Sequence, residues 1–343
     1  MKRHNLFKIL VISLVILGVA TFTYAGGTNT PPYTQTKYPI VLVPGVLGFD
    51  KLIGLVPYFY GIEGAIEKDS GGQQVHLMAL SGWQGTEARG LDLKNKIEEL
   101  CTKYGYTKVN VIAHSHGSTT SRVAMKLIPH RFASLTTIAG PHYGTPTADC
   151  GASMPEALQN VAYSAINLLG GDFIALISGN PEYIGKQDTG TVVSDFTQDK
   201  MKIFNTVTYP CAGVPKNGTY GTKKYGADAT SGAESEVING NTIRYYSWSG
   251  DVSVLGLTVP VTNIDVTDVA MTATDALNKA YGYWGPTDAF IPVSSAKFGK
   301  YIDTYFWNHA DEINQTMGII SPLAADPKEI FRTHANRLQK AGL

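Results

Sequence analysis

One stretch, residues 109–127, constrains the fold of this chain more than any other. Val109-Asn110-Val111-Ile112-Ala113 is an apolar, largely β-branched run, and Ser121-Arg122-Val123-Ala124-Met125-Lys126-Leu127 has helix-forming composition; only the turn around His114-Ser115-His116-Gly117-Ser118 separates them. So short a link passes the chain from a buried strand directly into a helix, the step from which sheets covered by helices are built. It also places Ser115 on a sharp corner with a small residue two positions to either side, Ala113 and Gly117. That is the nucleophile-elbow pattern G-x-S-x-G with alanine in the first glycine place. The small neighbours matter because the corner serine takes strained dihedrals and flanking bulk would clash with strand or helix. Five residues alone match by chance, and a structural turn serine is the bland alternative. The strand before and the helix after make Ser115 the candidate nucleophile.

Similar runs at 40–43, 135–139 and 243–248, with helical patterns over 87–104 and 118–128, extend the alternation of strand and helix. The sequence predicts an α/β fold with a mostly parallel sheet, one domain carrying insertions; 180–242, rich in Gly, Thr, Asn and Lys, reads as loops and surface excursions. Of 343 residues 43% are hydrophobic, which excludes a disordered or fibrous chain. Charged residues are 16%, against about 25% in ordinary proteins, and 28 basic residues balance 28 acidic ones. No nucleic-acid-binding surface is expected from that balance.

Lys2, Arg3 and Lys8 precede an almost unbroken apolar run over 9–20, followed by Thr23 and Ala25. Basic, apolar and small in that order reads as a secretory signal peptide over 1–25, cut after Ala25. The run is short of the roughly 18 residues that span a bilayer, so the expected mature protein, 26–343, is soluble and exported. Export permits disulfides. Cys101 falls on the apolar stripe of the 87–104 helix and reads as a buried thiol; Cys150 and Cys211, in Gly- and Pro-rich surroundings, are the expected pair.

A serine hydroxyl needs a base and an oxyanion site. The amide of His116, next after the nucleophile, is one expected oxyanion donor, and Val46, in the glycine turn after the 40–43 strand, the other. Among the histidines beyond Ser115, His116 is too near in the chain to fold back, and His130 and His142 precede most acid candidates. His334 sits on an amphipathic helix face. His309, in a polar break after an aromatic run, is left as the base. Asp251, Asp265, Asp268, Asp275 and Asp288 all lie in suitable loops, and spacing does not choose among them.

Several segments taken together resemble the secreted bacterial triacylglycerol lipases of the Pseudomonas, Burkholderia and Proteus type, which are α/β-hydrolases. They are Tyr38 to Asp50, Ala113 to Gly117, Ile138-Ala139-Gly140-Pro141-His142-Tyr143-Gly144-Thr145, Asn263 to Asp268, Asn308-His309-Ala310-Asp311-Glu312-Ile313-Asn314-Gln315, and the tail from Arg332. The resemblance implies an α/β-hydrolase fold with a helical lid, Ser115 as nucleophile, His309 as base and Asp288 as the acid orienting it. It implies one structural Ca²⁺ on the carboxylates of Asp265 and Asp311 and the carbonyls of Gln315 and Ile319, a ligand set of hard oxygens. Its substrate would be a long-chain ester at an oil–water interface, met by a monomer in transient contact with a membrane or lipid-droplet surface; a secretion foldase is a further partner of this class. The chain departs from the pattern at Pro44, where the family has His, at Thr287 and Ala289, where Asn and Gly flank the acid, and at Ser294 and Ser295, where a disulfide cysteine would lie.

From Pro155 to Leu169 the apolar residues Leu158, Val161, Ala162, Ala165, Ile166 and Leu169 fall at helical spacing, with Gly170-Gly171 as an expected stop. A core helix and a mobile lid over about 155–179 fit this equally; the resemblance favours the lid. Rival functions are a soluble carboxylesterase, a phospholipid acyl hydrolase, and a non-catalytic lipid-binding protein of the same fold.

Overall fold

In the computed structural model, which describes residues 31–254, 257–258, 266–315 and 317–343, the strands expected from sequence all form. β1 (Ile40–Val43), β2 (Val75–Leu77), β3 (Val109–His114), β4 (Phe132–Ile138), β5 (Ser235–Ile238), β6 (Asn241–Gly250) and β7 (Lys300–Tyr305) make one sheet. Its order is β7-β6-β4-β3-β1-β2, every pair parallel, with β5 folded back antiparallel on the start of β6. Register runs straight across the middle: Val41 pairs with Val111, Val111 with Leu135, and Leu135 with Tyr245. These strands lack polar alternation because both faces are covered. Val41, Val111 and Ala113 pack into one cluster with Leu93, Ile97 and Met125, while Ile40, Leu42 and Ile112 pack into the other with Ile62, Ile66, Phe331 and Ala335.

Besides two short helices, Ile62–Glu67 and Val293–Ala296, the α-helices among the described residues are α1 (Thr86–Tyr104), α2 (His116–Leu127), α3 (Pro146–Ser153), α4 (Glu156–Ala165), α5 (Phe173–Ile177), α6 (Thr189–Asp195), α7 (Gln198–Ile203), α8 (Val266–Tyr281) and α9 (Pro327–Lys340). α1 turns the stripe Leu93, Ile97 and Cys101 inward and stops at Gly105, whose φ of 71° returns its N–H to the Cys101 carbonyl. α9 buries Phe331, Ala335 and Leu338 on the opposite face. Each such side chain removed from water contributes roughly 1.5–3 kcal/mol, and Phe331, enclosed by Phe59 and Trp248, is among those that hold α9 to the sheet. Residues Tyr33–Leu343 form one compact unit.

The segment 180–242 is loop from 209 to 234, but its first part carries α6 and α7, and there Val192, Phe196 and Met201 form a small core with Ala148. Two expectations need correction. Gly170-Gly171 does not stop the helix that starts at Glu156. It is absorbed into a π-helical turn, Ile166–Asp172, that joins α4 to α5 and carries the helix to Ile177. Finally, all three cysteines are free. Cys150 sits on α3, whereas Cys211 is buried in the core cluster that holds Tyr245 and Phe298, so the two belong to different surroundings. Cys101 is the buried thiol expected. The segment 1–25, read as a signal peptide, lies outside the described residues.

Candidate active site

The elbow forms as its residue sizes require. Ser115 has φ 54° and ψ −128°, a conformation that non-glycine residues rarely adopt, and its N–H is tied to Ile138 O at 2.8 Å. At Gly117 an added methyl would lie 2.7 Å from the carbonyl oxygens of both Val43 and Pro44, so only glycine lets α2 start this close to β1. At Gly45 an added methyl would lie 2.7 Å from Ser115 Cβ, a measure of how tightly the turn after β1 lies against the serine.

Three expected side chains meet here. His309 Nε2 is 2.9 Å from Ser115 Oγ, and His309 Nδ1 is 2.7 Å from Asp288 Oδ2. The backbone supports the pair: His309 N–H donates to Asp288 O at 2.9 Å, and the other carboxylate oxygen accepts the amides of Phe290 at 2.8 Å and Ile291 at 2.6 Å. Asp288 is fully buried. A carboxylate held by two amides fixes the imidazole with Nδ1 protonated and Nε2 free to take the serine proton. Of the other acid candidates, Asp275 pairs with Lys279 at 2.7 Å and Asp251 lies 3.4 Å from Thr287 N. Asp265 lies outside the described residues, as does the side chain of Asp268.

His116 is the first residue of α2, so its amide is one of the donors that a helix start leaves without an intrahelical acceptor. Val46 lines the same cavity as Ser115. Where the resemblance leads to a histidine in place of Pro44, two groups that sequence did not reveal hold the turn. Arg89 is fully buried and donates through Nη2 to Pro44 O and Gly45 O, both at 2.9 Å, and through Nη1 to Gly82 O at 3.0 Å and to Ser81 O. Burial without a carboxylate partner pushes its pKa down to about 10. Tyr58 Oη receives the Gly45 N–H at 3.1 Å and lies 2.9 Å from His114 Nδ1; burial holds the phenol protonated far above its ordinary range.

Glu312 is the third feature that sequence reading passed over. It is fully buried; Oε2 lies 3.0 Å from His114 Nε2 and 3.7 Å from His309 Nδ1, and Oε1 accepts the Gly250 amide. Burial, and next the charge of Asp288, raise its pKa well above the usual carboxylate range, while burial lowers that of His114 well below the imidazole range. His309 and Glu312 are three apart in the chain, close enough for one turn to bring them together, and that spacing was the available signal. At the departures, Thr287 Oγ1 accepts the Ala289 N–H at 3.1 Å, and Ser295 Oγ accepts Tyr143 N–H at 2.9 Å and donates to Gly144 O at 2.8 Å.

Above Ser115 and His309 lies a cavity of about 520 Å³, lined almost entirely by carbon, including Val46, Leu47, Phe49, Val192, Phe196 and Phe290. Ile174 of α5 also lines it, while Leu158, Val161, Leu168, Leu169, Phe173 and Leu176 of the same Glu156–Ile177 helix are exposed. Among the described residues this is the one helix long and apolar enough to cross a membrane. One of its residues, Ile174, instead faces the cavity that holds Ser115.

A family model described as the alpha/beta hydrolase fold matches residues 38–200. A triacylglycerol lipase of Vibrio cholerae is 35% identical, covering 99% of this chain and 100% of the relative. Another, of Pseudarthrobacter phenanthrenivorans, is 34% identical over 91% of this chain and 99% of its own. The crystal structure of a metagenomic carboxyl esterase, 13% identical, matches with a TM-score of 0.57 over 92% of this chain and 80% of that one, a likeness of fold. With identity sustained from end to end, and the elbow, base and acid in hydrogen-bond contact, the chain belongs to the bacterial triacylglycerol lipases, serine ester hydrolases of the α/β-hydrolase fold.

Proposed function

We propose that this protein is an exported triacylglycerol lipase that cleaves long-chain carboxylic esters at an oil–water interface through an acyl-enzyme. The observation that carries this reading is the unbroken contact from Ser115 through His309 to Asp288 beneath a carbon-lined cavity roofed by a helix with an exposed apolar face. Ser115 Oγ attacks the ester carbonyl as His309 Nε2 takes its proton, and the amides of Val46 and His116 receive the oxyanion. The bond to the alcohol oxygen then breaks, and His309 returns the proton to that alcohol. Water repeats the sequence on the acyl-serine: His309 takes a proton from water, the hydroxyl adds to the carbonyl, and the fatty acid leaves as Ser115 recovers its proton. Asp288 keeps the imidazole in the required tautomer throughout.

The lid reading rests on large apolar side chains that water meets on Glu156–Ile177; a soluble monomer seldom displays a patch of this kind without an apolar surface to meet it. The residues expected to hold Ca²⁺ suit a hard cation. Asp311 is buried in the turn that carries His309, and the Gln315 side-chain amide donates to the carbonyls of Pro57 and Tyr58, which fixes the segment whose Gln315 carbonyl would be a ligand. With Asp265 and Ile319 they would tie down the His309 loop, a positional effect with no part in bond making. Export would follow from the 1–25 signal peptide.

The test is hydrolysis of emulsified triolein beside soluble tributyrin by wild type and Ser115→Ala, with and without a calcium chelator. Cleavage of triolein by wild type alone, with slow loss under chelation, supports the whole reading. Cleavage of tributyrin alone leaves a soluble carboxylesterase, and activity in Ser115→Ala removes the mechanism.

A further inference from the structure

Trp83 lines the cavity that holds Ser115, and its indole Nε1 is buried without a hydrogen-bond partner. Among the described buried nitrogen and oxygen atoms in that condition, it is the one whose side chain lines this cavity. Looseness does not explain it: the Trp83 amide donates to Gln187 Oε1 at 2.8 Å, and its carbonyl accepts the amide of Asp188. The covering element is the π-helical turn of the lid. A methyl added at Gly170 would stand 3.0 Å from Trp83 Nε1 and 3.7 Å from Cδ1, so the bare Cα of Gly170 is what allows that turn to rest on the donor edge of the indole. Buried indole N–H groups ordinarily have an acceptor. This one is shut beneath the lid without one, in a wall made mostly of carbon.

We infer that Trp83 is a further substrate-binding residue, one that donates its N–H to a second ester group of the same substrate molecule once the Gly170 turn lifts. The reacting carbonyl is taken by the oxyanion amides, and acyl chains offer no acceptor. A substrate with two or more ester groups brings the missing acceptor with it, and a simple monoester does not. Trp83 therefore selects polyesters such as di- and triacylglycerols over fatty-acid monoesters. The inference deepens the proposed function and rests on the reading that Ser115 cleaves acylglycerols.

The test is Trp83→Phe, which keeps an aromatic ring at a half-buried position and removes the donor, assayed on emulsified dioleoylglycerol and ethyl oleate at matched interfacial area, with melting temperature as the check on folding. Losing an interaction with a non-reacting group raises KM and leaves kcat unchanged. We expect kcat/KM on the diester to fall about tenfold through KM, the range of one neutral hydrogen bond, with ethyl oleate changed less than about twofold. An equal fall on both substrates makes Trp83 a packing residue and overturns the inference, as does no fall on either. A wild type that cleaves ethyl oleate but not dioleoylglycerol instead removes the acylglycerol reading, and the two failures are thereby distinct.

Discussion

Glu312 places a second buried carboxylate 3.7 Å from His309 Nδ1, the nitrogen that Asp288 already holds at 2.7 Å. The two acids are not equivalent: the charge of Asp288, after burial, is what most raises the Glu312 pKa. Removing that charge eases ionisation of Glu312 beside an imidazole it can reach with a small side-chain movement. Asp288→Asn is therefore expected to lose about 10²-fold in kcat, short of the roughly 10⁴-fold loss seen where a single acid serves. Adding Glu312→Gln should cost at least a further tenfold, while Glu312→Gln alone costs little. Steady-state kinetics of the three variants decide it; additive losses would mean that Glu312 does not substitute for Asp288.

Arg89 holds the turn that bears Val46 by its carbonyls, and lysine cannot reproduce that fork. Arg89→Lys is expected to fold and to lose roughly 10²–10³-fold in kcat, the range of one misplaced oxyanion donor, with KM within about threefold of wild type. Kinetics on tributyrin test this, and a change confined to KM would place Arg89 in binding instead.

Ala289, next to the acid, is fully buried with φ at 88°, where a side chain is strained. Asn278 Nδ2 donates to its carbonyl at 2.8 Å and helps keep it there. Strain of this kind costs about 1–3 kcal/mol, so Ala289→Gly should leave the melting temperature unchanged or raise it despite the lost methyl, and Ala289→Val should lower it by several degrees. A large loss with glycine would show that the methyl's packing outweighs the strain.

His334, buried on α9 between Thr136 Oγ1 at 2.8 Å and Arg337 Nη1 at 2.9 Å, has its pKa lowered well below the ordinary value, first by burial and then by Arg337. His114, His116 and His142 are lowered in the same direction by burial. A histidine depressed in the folded state contributes stability above its unfolded pKa of about 6.5 and loses it as pH falls toward the folded value, at up to about 1.4 kcal/mol per pH unit each. Glu312, raised, opposes one of them. Urea midpoints should therefore drop steeply from pH 6.5 to 5, and His334→Gln should flatten that slope by about one proton's worth. An unchanged slope would show that His334 is not among the groups that titrate on unfolding.

What could be read before the structure was local. The elbow is five consecutive residues between a strand and a helix, so Ser115 and the sheet that carries it were legible; His309 followed because few histidines remained. Asp288 needed the resemblance, since five aspartates lie in loops and only the meeting of distant segments selects one. Arg89 could not be seen. Its neighbours Glu87 and Asp92 give it the look of a solvent face, and its partners are main-chain carbonyls, which have no sequence signature. Gly170-Gly171 read as a stop because glycine favours helix ends, yet here tertiary contact with Trp83 and Gln187 needs bare backbone in mid-helix.

Ser115, His309 and Asp288 are in full contact while Ile174 still lines the cavity above them. The contacts among these three side chains do not wait on the helix. On the lid reading proposed above, an apolar surface would change the fraction of molecules whose site can be entered, and with it the observed rate, while the rate constant of an occupied site stays fixed. A small ester that slips past the helix would then meet an assembled triad in plain water, and for a large one the rate would be set by occupancy of the open form.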